Sequence, residues 1–464
     1  MAESRPPFPT SSGSDDTGEN APKGNKNYWL TSGAYSMMHR GVDFVLGFLG
    51  FMLLVRILSK DAFGVWVLLI TIVSIVDVAR IGFLQNGLIK FIVGNKAQER
   101  SVQSTGLLLN AGITLLVMVA LWLSAPLLED VLNAAGLAYI IRAHVLVLPV
   151  MVFHTQCMIL MQAHFNFKSY FFAGISRSLP FFLVVCYYFI SGADMRLNAL
   201  IWWYNGAYVL ASIMAVYQVH TYFYFSIRDI TTEWAGTIFH FGKFVFGTNL
   251  VSMITNSLDK FLLGALLSPA QVALANAAGR VMNMVDVPVR SISSIAYPKA
   301  TQAHENHGAQ EVGRIFEKTV GMMLSITIPF FVGVFILAEY IILIIAGADY
   351  LDATPFMRVI IVLALLRPFD RQYGVFLDAI GKPFLNMLMV FANFTYTIAA
   401  SYFLIQHFRL IGAAYALVAA VALTVLFKYL IFRYFVPFRI WRPFVEAFYM
   451  YPQLFRMVRK KLNI

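Results

Sequence analysis

The chain has 464 residues, of which 59% are hydrophobic and 13% charged, with a formal net charge of +11 and a mean hydropathy of +0.70. This composition excludes a soluble fold, which carries roughly a quarter of its residues as charges. The Lys and Arg residues sit in short loops and the C-terminal tail, so the basic balance reports membrane topology and not nucleic-acid binding.

Residues 1–27 are rich in Pro, Ser, Gly, Asp and Asn and lack the apolar core and small-residue cleavage site of a secretory signal, so they read as a disordered cytoplasmic tail. About twelve apolar runs follow, each near the ~20 residues that let a helix cross the hydrocarbon. They cover 31–56, 64–83, 104–124, 143–163, 170–191 and 197–220, then 243–267, 270–294, 319–346, 357–379, 384–406 and 411–432. The pattern predicts an all-α polytopic membrane protein, with one six-helix bundle over 28–220, a cytoplasmic linker over 221–240 and a second bundle over 241–432. Residues 433–464 mix aromatics with Arg and Lys, as a segment lying at the membrane surface does. The loop "IKFIVGNKAQER" and the tail "RMVRKK" are basic, whereas "PLLED" and "GADYLDA" are acidic, so the positive-inside rule places both termini in the cytoplasm and the chain in the cytoplasmic membrane.

Sliding the sequence along itself reveals a repeat. When Leu58-Ser59 falls on Leu267-Ser268, Asp77 falls on Asp286 without a gap. Arg40, Asp43, Gly47 and Gly50 then meet Asn249, Ser252, Asn256 and Asp259, while Thr71, Ser74, Asp77 and Ile81 meet Arg280, Asn283, Asp286 and Arg290. Spacings of three and four residues keep each set on one helical face. A shift of six helices returns the chain to the same side of the membrane, so the bundles are expected to be parallel repeats about an axis along the membrane normal.

Charge follows the same organisation. An Asp, Lys or Arg at a helix centre costs about 2.5–3.5 kcal/mol in hydrocarbon, and roughly a dozen such residues facing lipid would cost on the order of 30 kcal/mol, more than a fold's net stability. Most must face water or one another, and they cluster on the first two spans of each half plus the tenth. Two bundles facing each other across a polar central cavity would produce that distribution. Arg40, Arg280, Arg290, Arg367 and Arg371, with Asn249, Asn256 and Asn283, are the candidate cargo ligands, because a guanidinium fork donates two parallel hydrogen bonds to an anion such as phosphate. Asp43, Asp77, Arg80, Asp259, Lys260, Asp286 and Asp370 are candidates for ion pairs or for binding a coupling cation. Arg40 with Asp43 and Asp77 with Arg80 have the i,i+3 spacing of pairs that neutralise each other.

Catalytic signatures are absent. There is no P-loop, "HENH" at His304–His307 lacks the HExxH spacing and falls in an expected loop, and Cys157 and Cys186 form no CxxC. No cofactor, metal or catalytic residue is expected.

"RILSKDAFGVWVLLITIVSIVDVARIGFLQNGLIKF" and its counterpart "NSLDKFLLGALLSPAQVALANAAGRV" resemble the paired helical hairpins of Wzx-like polysaccharide flippases, members of the multidrug/oligosaccharidyl-lipid/polysaccharide exporter superfamily. The resemblance implies two six-helix bundles in a V that opens alternately to each side. It also implies a cargo of lipid-linked oligosaccharide carried on a polyprenyl diphosphate to the outer leaflet. On that reading Arg40, Arg280, Arg290, Arg367 and Arg371 meet the diphosphate, while Asp77, Asp259 and Asp286 hold those arginines or a coupling H+ or Na+. Membrane lipid and a polysaccharide polymerase are the further partners expected. Family members often carry tyrosines shortly after the second Leu-Ser, where this chain has Ala275, Asn276 and Gly279, so no contact carries over from them. The competing readings are a cation-coupled drug exporter on the same fold, which requires a pocket dominated by carboxylates, and a membrane-embedded glycosyl transferase or polymerase, which requires sizeable extramembrane loops.

Overall fold

A computed structural model describes residues 26–255 and 257–461, so the tail expected over 1–27 lies almost wholly outside the described residues. The described chain is helical throughout. The elements are α1 (Lys26–Ile57), α2 (Lys60–Gly94), α3 (Glu99–Val131), α4 (Leu137–Val145), α5 (Leu148–Ala163), α6 (Phe167–Ser191), α7 (Leu197–Val219), α8 (Thr232–Thr255), α9 (Leu258–Leu266), α10 (Pro269–Ala346), α11 (Thr354–Ile360), α12 (Leu363–Ala379), α13 (Pro383–Phe435) and α14 (Arg442–Lys461).

Among the described residues, six helices taken whole are long and apolar enough to cross a bilayer, and α4 with α5, bent by 55°, makes a seventh. Pro149 at the start of α5 accounts for that bend, since proline removes a backbone donor and clashes with the preceding turn. Two of the six, α10 and α13, are each a folded-back pair. Gly308 (φ 73) interrupts α10 and Arg409 (φ 52) interrupts α13. Gln372 donates both to Ser293 Oγ (2.9 Å) and to Met323 Sδ (3.4 Å), residues on opposite sides of Gly308. In a straight helix those two positions would stand about 45 Å apart. Asn393 likewise donates to Thr424 Oγ1 at 2.7 Å across Arg409. Counting each arm separately, with α1, α8–α9 and α11–α12, whose charges lower their hydropathy, gives about twelve crossings.

The matched Leu-Ser pairs occupy matching junctions. Ser59 caps α2, its Oγ accepting from Ala62 N at 3.3 Å, and Ser268 in extended conformation precedes α10. The sequence-matched starts of α2 and α10 meet so closely that a Cβ on Gly64 would overlap the Pro269 carbonyl. Around this contact the two sets of six spans are tied together. Arg56 donates to Ile344 O (2.6 Å), Asn133 to Ala265 O (3.0 Å), and Lys60 pairs with Asp352 (3.6 Å). The buried core is continuous across the join, running from Phe51, Phe63 and Leu69 to Val272, Met282 and Tyr350.

At the opposite end the cores separate. One cluster, with Phe316, Phe376 and Phe432, belongs to the second set; the other, with Leu84, Leu88 and Ile92, belongs to the first. The start of α8 sides with the first set, Ile238 joining that cluster and Trp234 standing 5.5 Å from Phe91. The segment expected as a linker is helical from Thr232 onward. Its earlier part is fastened to α3, where Gln103 donates to Tyr222 O (3.2 Å) and accepts from Tyr224 N (3.0 Å). Ser104 and Thr105 accept from Ser226 N (3.1 Å) and Thr231 N (3.2 Å). His304–His307, expected in a loop, continue α10 up to Gly308, because the helix runs on past its apolar stretch until a glycine with positive φ stops it. α14 packs on the second arm of α10, where the buried Glu317 accepts from Arg439 N (2.7 Å) and Arg442 (3.5 Å).

Outward faces are apolar, with Leu116, Leu123, Ile190 and Ile336 all exposed. In water such a belt would be a liability, and in a bilayer it is the solvent-facing surface.

Candidate functional site

Between the two sets of spans lies a cavity of ≈ 730 Å³, within the range of about 300–1,000 Å³ typical of ligand clefts. Its first wall comes from α1, α2, α6 and α7, its second from α9, α10, α11 and α12 with Met253 of α8 and Leu417 of α13. The helical period explains the second wall: Asn276, Arg280 and Asn283 stand on one face of α10 at spacings of four and three, and all three line the cavity. Asp259 and Lys260 enter from the first turn of α9, just past the break after α8, and Arg367 enters from α12.

The charged residues divide into those held by partners and those left free. Arg367 donates to Asp286 Oδ2 at 2.8 Å while also lining the cavity. Arg280 lies with its guanidinium 4.9 Å from the centre of the Phe51 ring, and its buried Nε has no hydrogen-bond partner among the described residues. A buried donor left so is rare and costs about 1–3 kcal/mol, so it marks a place where a ligand or water completes the site. Asn276 Oδ1 on the same helical face is also buried and has no partner among the described residues.

On the first wall Asp43 accepts from Arg177 Nη2 at 3.4 Å, with His39 Nε2 at 3.8 Å. Arg177 also donates to Tyr208 OH at 3.1 Å. Sequence reasoning missed Arg177. The signal was there, a lone arginine in the otherwise apolar span "SRSLPFFLVV", which the cost of charge in hydrocarbon makes conspicuous.

The remaining candidates lie elsewhere. Asp77 and Arg80 pair with each other at 3.1 Å inside the first set, where Arg80 is fully buried and also reaches Thr155 Oγ1 at 3.4 Å. Asp370 accepts from the buried Lys428 at 2.8 Å, away from the cavity wall. Arg40 is exposed on α1, and Arg290 and Arg371 are exposed further along α10 and α12, beyond Arg280 and Arg367 in the direction of the separated end. Asn249 belongs to the backbone of α8, but its side chain lies outside the described residues, as does the whole of Asn256.

With this geometry in hand, the relatives are informative. The sequence matches the polysaccharide biosynthesis protein family over residues 53–355, about two thirds of the chain, which takes in both Leu-Ser junctions and the cavity residues of α2, α6, α7, α9 and α10. The chain belongs to that family. The resemblance read from the two Leu-Ser hairpins is thereby borne out. Among its curated relatives are the teichuronic acid biosynthesis protein TuaB of Bacillus subtilis, 23% identical over 62% of this chain and 58% of that one. Another is the lipopolysaccharide biosynthesis protein WzxC of Escherichia coli, 21% identical over 72% of this chain and 66% of that one. The chain thus spans little more than half the length of the Bacillus relative. Two solved structures share the fold of this family member. The lipid II flippase MurJ in an inward closed conformation has a TM-score of 0.72 at 14% identity, covering 92% of each chain. An inward-facing multidrug resistance MATE family transporter of the MOP superfamily has a TM-score of 0.70 at 14% identity, covering 84% of this chain and 94% of that one.

Proposed function

We propose that this chain is a flippase that carries a lipid-linked oligosaccharide, borne on a polyprenyl diphosphate, from the inner to the outer leaflet by alternating access. The observation that carries this reading is the cavity between the halves, in which Lys260, Arg280 and Arg367 stand on the second wall among apolar helices. The polar head would occupy that space while the polyprenyl tail stays in lipid, so the barrier lowered is the desolvation of sugar and phosphate, and no covalent step is needed. With the N-terminus cytoplasmic, the tied Leu58 end would face outward and the separated end inward, as an inward-facing state requires. The names of the relatives support the cargo class: teichuronic acid, lipopolysaccharide and, for ExoT of Rhizobium meliloti, succinoglycan biosynthesis transport.

Arg280 is assigned to the diphosphate, with Arg367 aimed at it by Asp286. Arg290 and Arg371 would meet the head on its way in. Of the carboxylates considered for a coupling H+ or Na+, Asp77 and Asp286 are held by arginines, while Asp43 and Asp259 line the cavity, Asp43 already engaged by Arg177. An inside-negative potential would favour outward movement of the anion by about 2.3 kcal/mol per charge per 100 mV.

The test is Arg280→Ala with Arg367→Ala in a strain that depends on this chain. Surface polysaccharide should fall at least about tenfold while the variant reaches the membrane at normal levels, a loss of about 1.4 kcal/mol or more in cargo stabilisation. Normal surface polysaccharide in that strain removes the diphosphate assignment.

The likeness to a multidrug transporter supports a second reading, a cation-coupled exporter of small molecules. A pocket for cationic drugs needs an acidic wall, whereas here Arg177, Lys260, Arg280 and Arg367 stand against Asp43 and Asp259. A drug-susceptibility panel on the deletion strain separates the two.

A further inference from the structure

The two walls of the cavity differ in chemistry. The second wall carries the cation without a hydrogen-bond partner at Nε, Arg280. The first wall carries a cluster of aromatic rings: Trp66 and Phe181 stack at 6.1 Å and 22°, and Tyr204 stands edge-on to both, at 5.2 Å and 86° from Trp66 and at 5.3 Å and 75° from Phe181. All three line the cavity. They come from α2, α6 and α7, so the cluster is assembled by the packing of the first bundle and is not a local sequence motif.

The charge on this wall is already neutralised. Arg177 is engaged by Asp43, by Tyr208 OH and by the Tyr208 ring, 5.5 Å from its guanidinium. It is therefore poorly placed to give its full charge to a phosphate. Beside the rings, Asp43 Oδ1 and Ser178 Oγ are buried without hydrogen-bond partners among the described residues, and Asp43 and Ser178 both line the cavity. Aromatic faces with a carboxylate and a hydroxyl at their rim match a pyranose ring. One face of such a ring presents C–H groups that pack on a π-surface, and its edge presents hydroxyls that need acceptors and donors.

We infer that the cavity is divided, with the first wall, built on Trp66, Phe181 and Tyr204, receiving a pyranose unit of the cargo while Arg280 on the facing wall holds its anionic end. The assignment rests on the flippase reading above and adds a sugar site to it. Stacking on a ring face tolerates changes in the position of individual hydroxyls, whereas Asp43 and Ser178 contribute orientation.

The experiment uses the full-length purified chain in nanodiscs with two probes, a C55 polyprenyl diphosphate and the same lipid bearing a single glucose on its diphosphate. The unaltered protein should bind the glucosylated probe more tightly by about tenfold, or about 1.4 kcal/mol, near the upper end of what an aromatic contact contributes. Phe181→Leu and Tyr204→Leu, which preserve apolar volume but remove the ring, should abolish that preference and leave affinity for the bare lipid within about twofold. Phe181→Tyr and Tyr204→Phe, which keep the ring, should retain it, and this contrast distinguishes a sugar contact from a merely structural role. Arg280→Ala should weaken both probes alike. A preference for the glucosylated lipid that persists in the leucine variants, that is absent from the unaltered protein, or that is lost in the ring-retaining variants overturns the sugar site alone. Failure of the unaltered protein to bind the bare polyprenyl diphosphate sinks the flippase reading itself.

Discussion

Asp77 and Arg80 show why a charge in this chain is not by itself a cargo ligand. Arg80 is fully buried, its Nε and one Nη have no hydrogen-bond partner among the described residues, and Asp77 is its counter-ion at 3.1 Å. Removing one member of such a pair strands the other and costs about 3–5 kcal/mol, whereas replacing both with apolar residues of similar volume is close to neutral. Asp77→Asn should therefore lower the thermal midpoint of the purified protein sharply, and Asp77→Leu with Arg80→Met should recover most of the loss. Equal midpoints for the unaltered and Asp77→Asn proteins would show that the pair is not structural. The sequence displayed Asp77 and Asp286 as equivalents, and the fold gives them different partners: Asp77 takes its neighbour on the same helix, Asp286 reaches across to Arg367 on α12. One-dimensional spacing detects the first kind of pair and is blind to the second.

Among the elements, the junction of α2 with α10 governs how the halves meet. Gly64 permits the Pro269 carbonyl to sit where a side chain would be, and the ties from Arg56, Asn133 and Lys60 surround that contact. Gly64→Leu should force the two helices apart by roughly the breadth of a side chain and disfavour this conformation, because a packed interface absorbs added volume only by shifting. Cysteines at Lys60 and Asp352 should be joined by a bis-maleimide, whose span replaces the reach of the lysine, in the otherwise unaltered protein and at least about fivefold less when Gly64→Leu is added; cross-linking unaffected by Gly64→Leu would deny the contact its role. The connection between halves is also more structured than its composition suggests. Ser, Gln and Thr at the start of α3 read as ordinary polar residues near a membrane surface, yet Gln103, Ser104 and Thr105 satisfy the backbone donors of Tyr224, Ser226 and Thr231. Polar side chains have no periodic signature that reveals such a distant partner.

For the molecule as a whole, the cavity makes a prediction about water. Asn283 and Ser293 lie on the same arm of α10, but Asn283 lines the cavity while Ser293 is buried against Gln372. In a background lacking Cys157 and Cys186, Asn283→Cys should react with a water-soluble maleimide applied from the side of the N-terminus, and Ser293→Cys should react at least about tenfold more slowly. The reverse order would mean that the helix faces have been assigned the wrong way round. The same architecture explains where charge sits on α1, α6, α9, α10 and α12: Asp43, Arg177, Asp259, Lys260, Arg280 and Arg367 all line the space between the halves.

Sequence alone settled the solvent of this protein, its all-helical character and most of the helices that carry charge, because hydrocarbon imposes a cost on every polar residue that periodicity makes visible. Tertiary structure alone decided which of those charges pair and which line the cavity. It also brought Arg177 to Asp43, and gathered Trp66, Phe181 and Tyr204 from three helices into one wall. Spacing along a helix fixes which face a side chain shares, but which neighbour that face meets depends on how helices far apart in sequence pack.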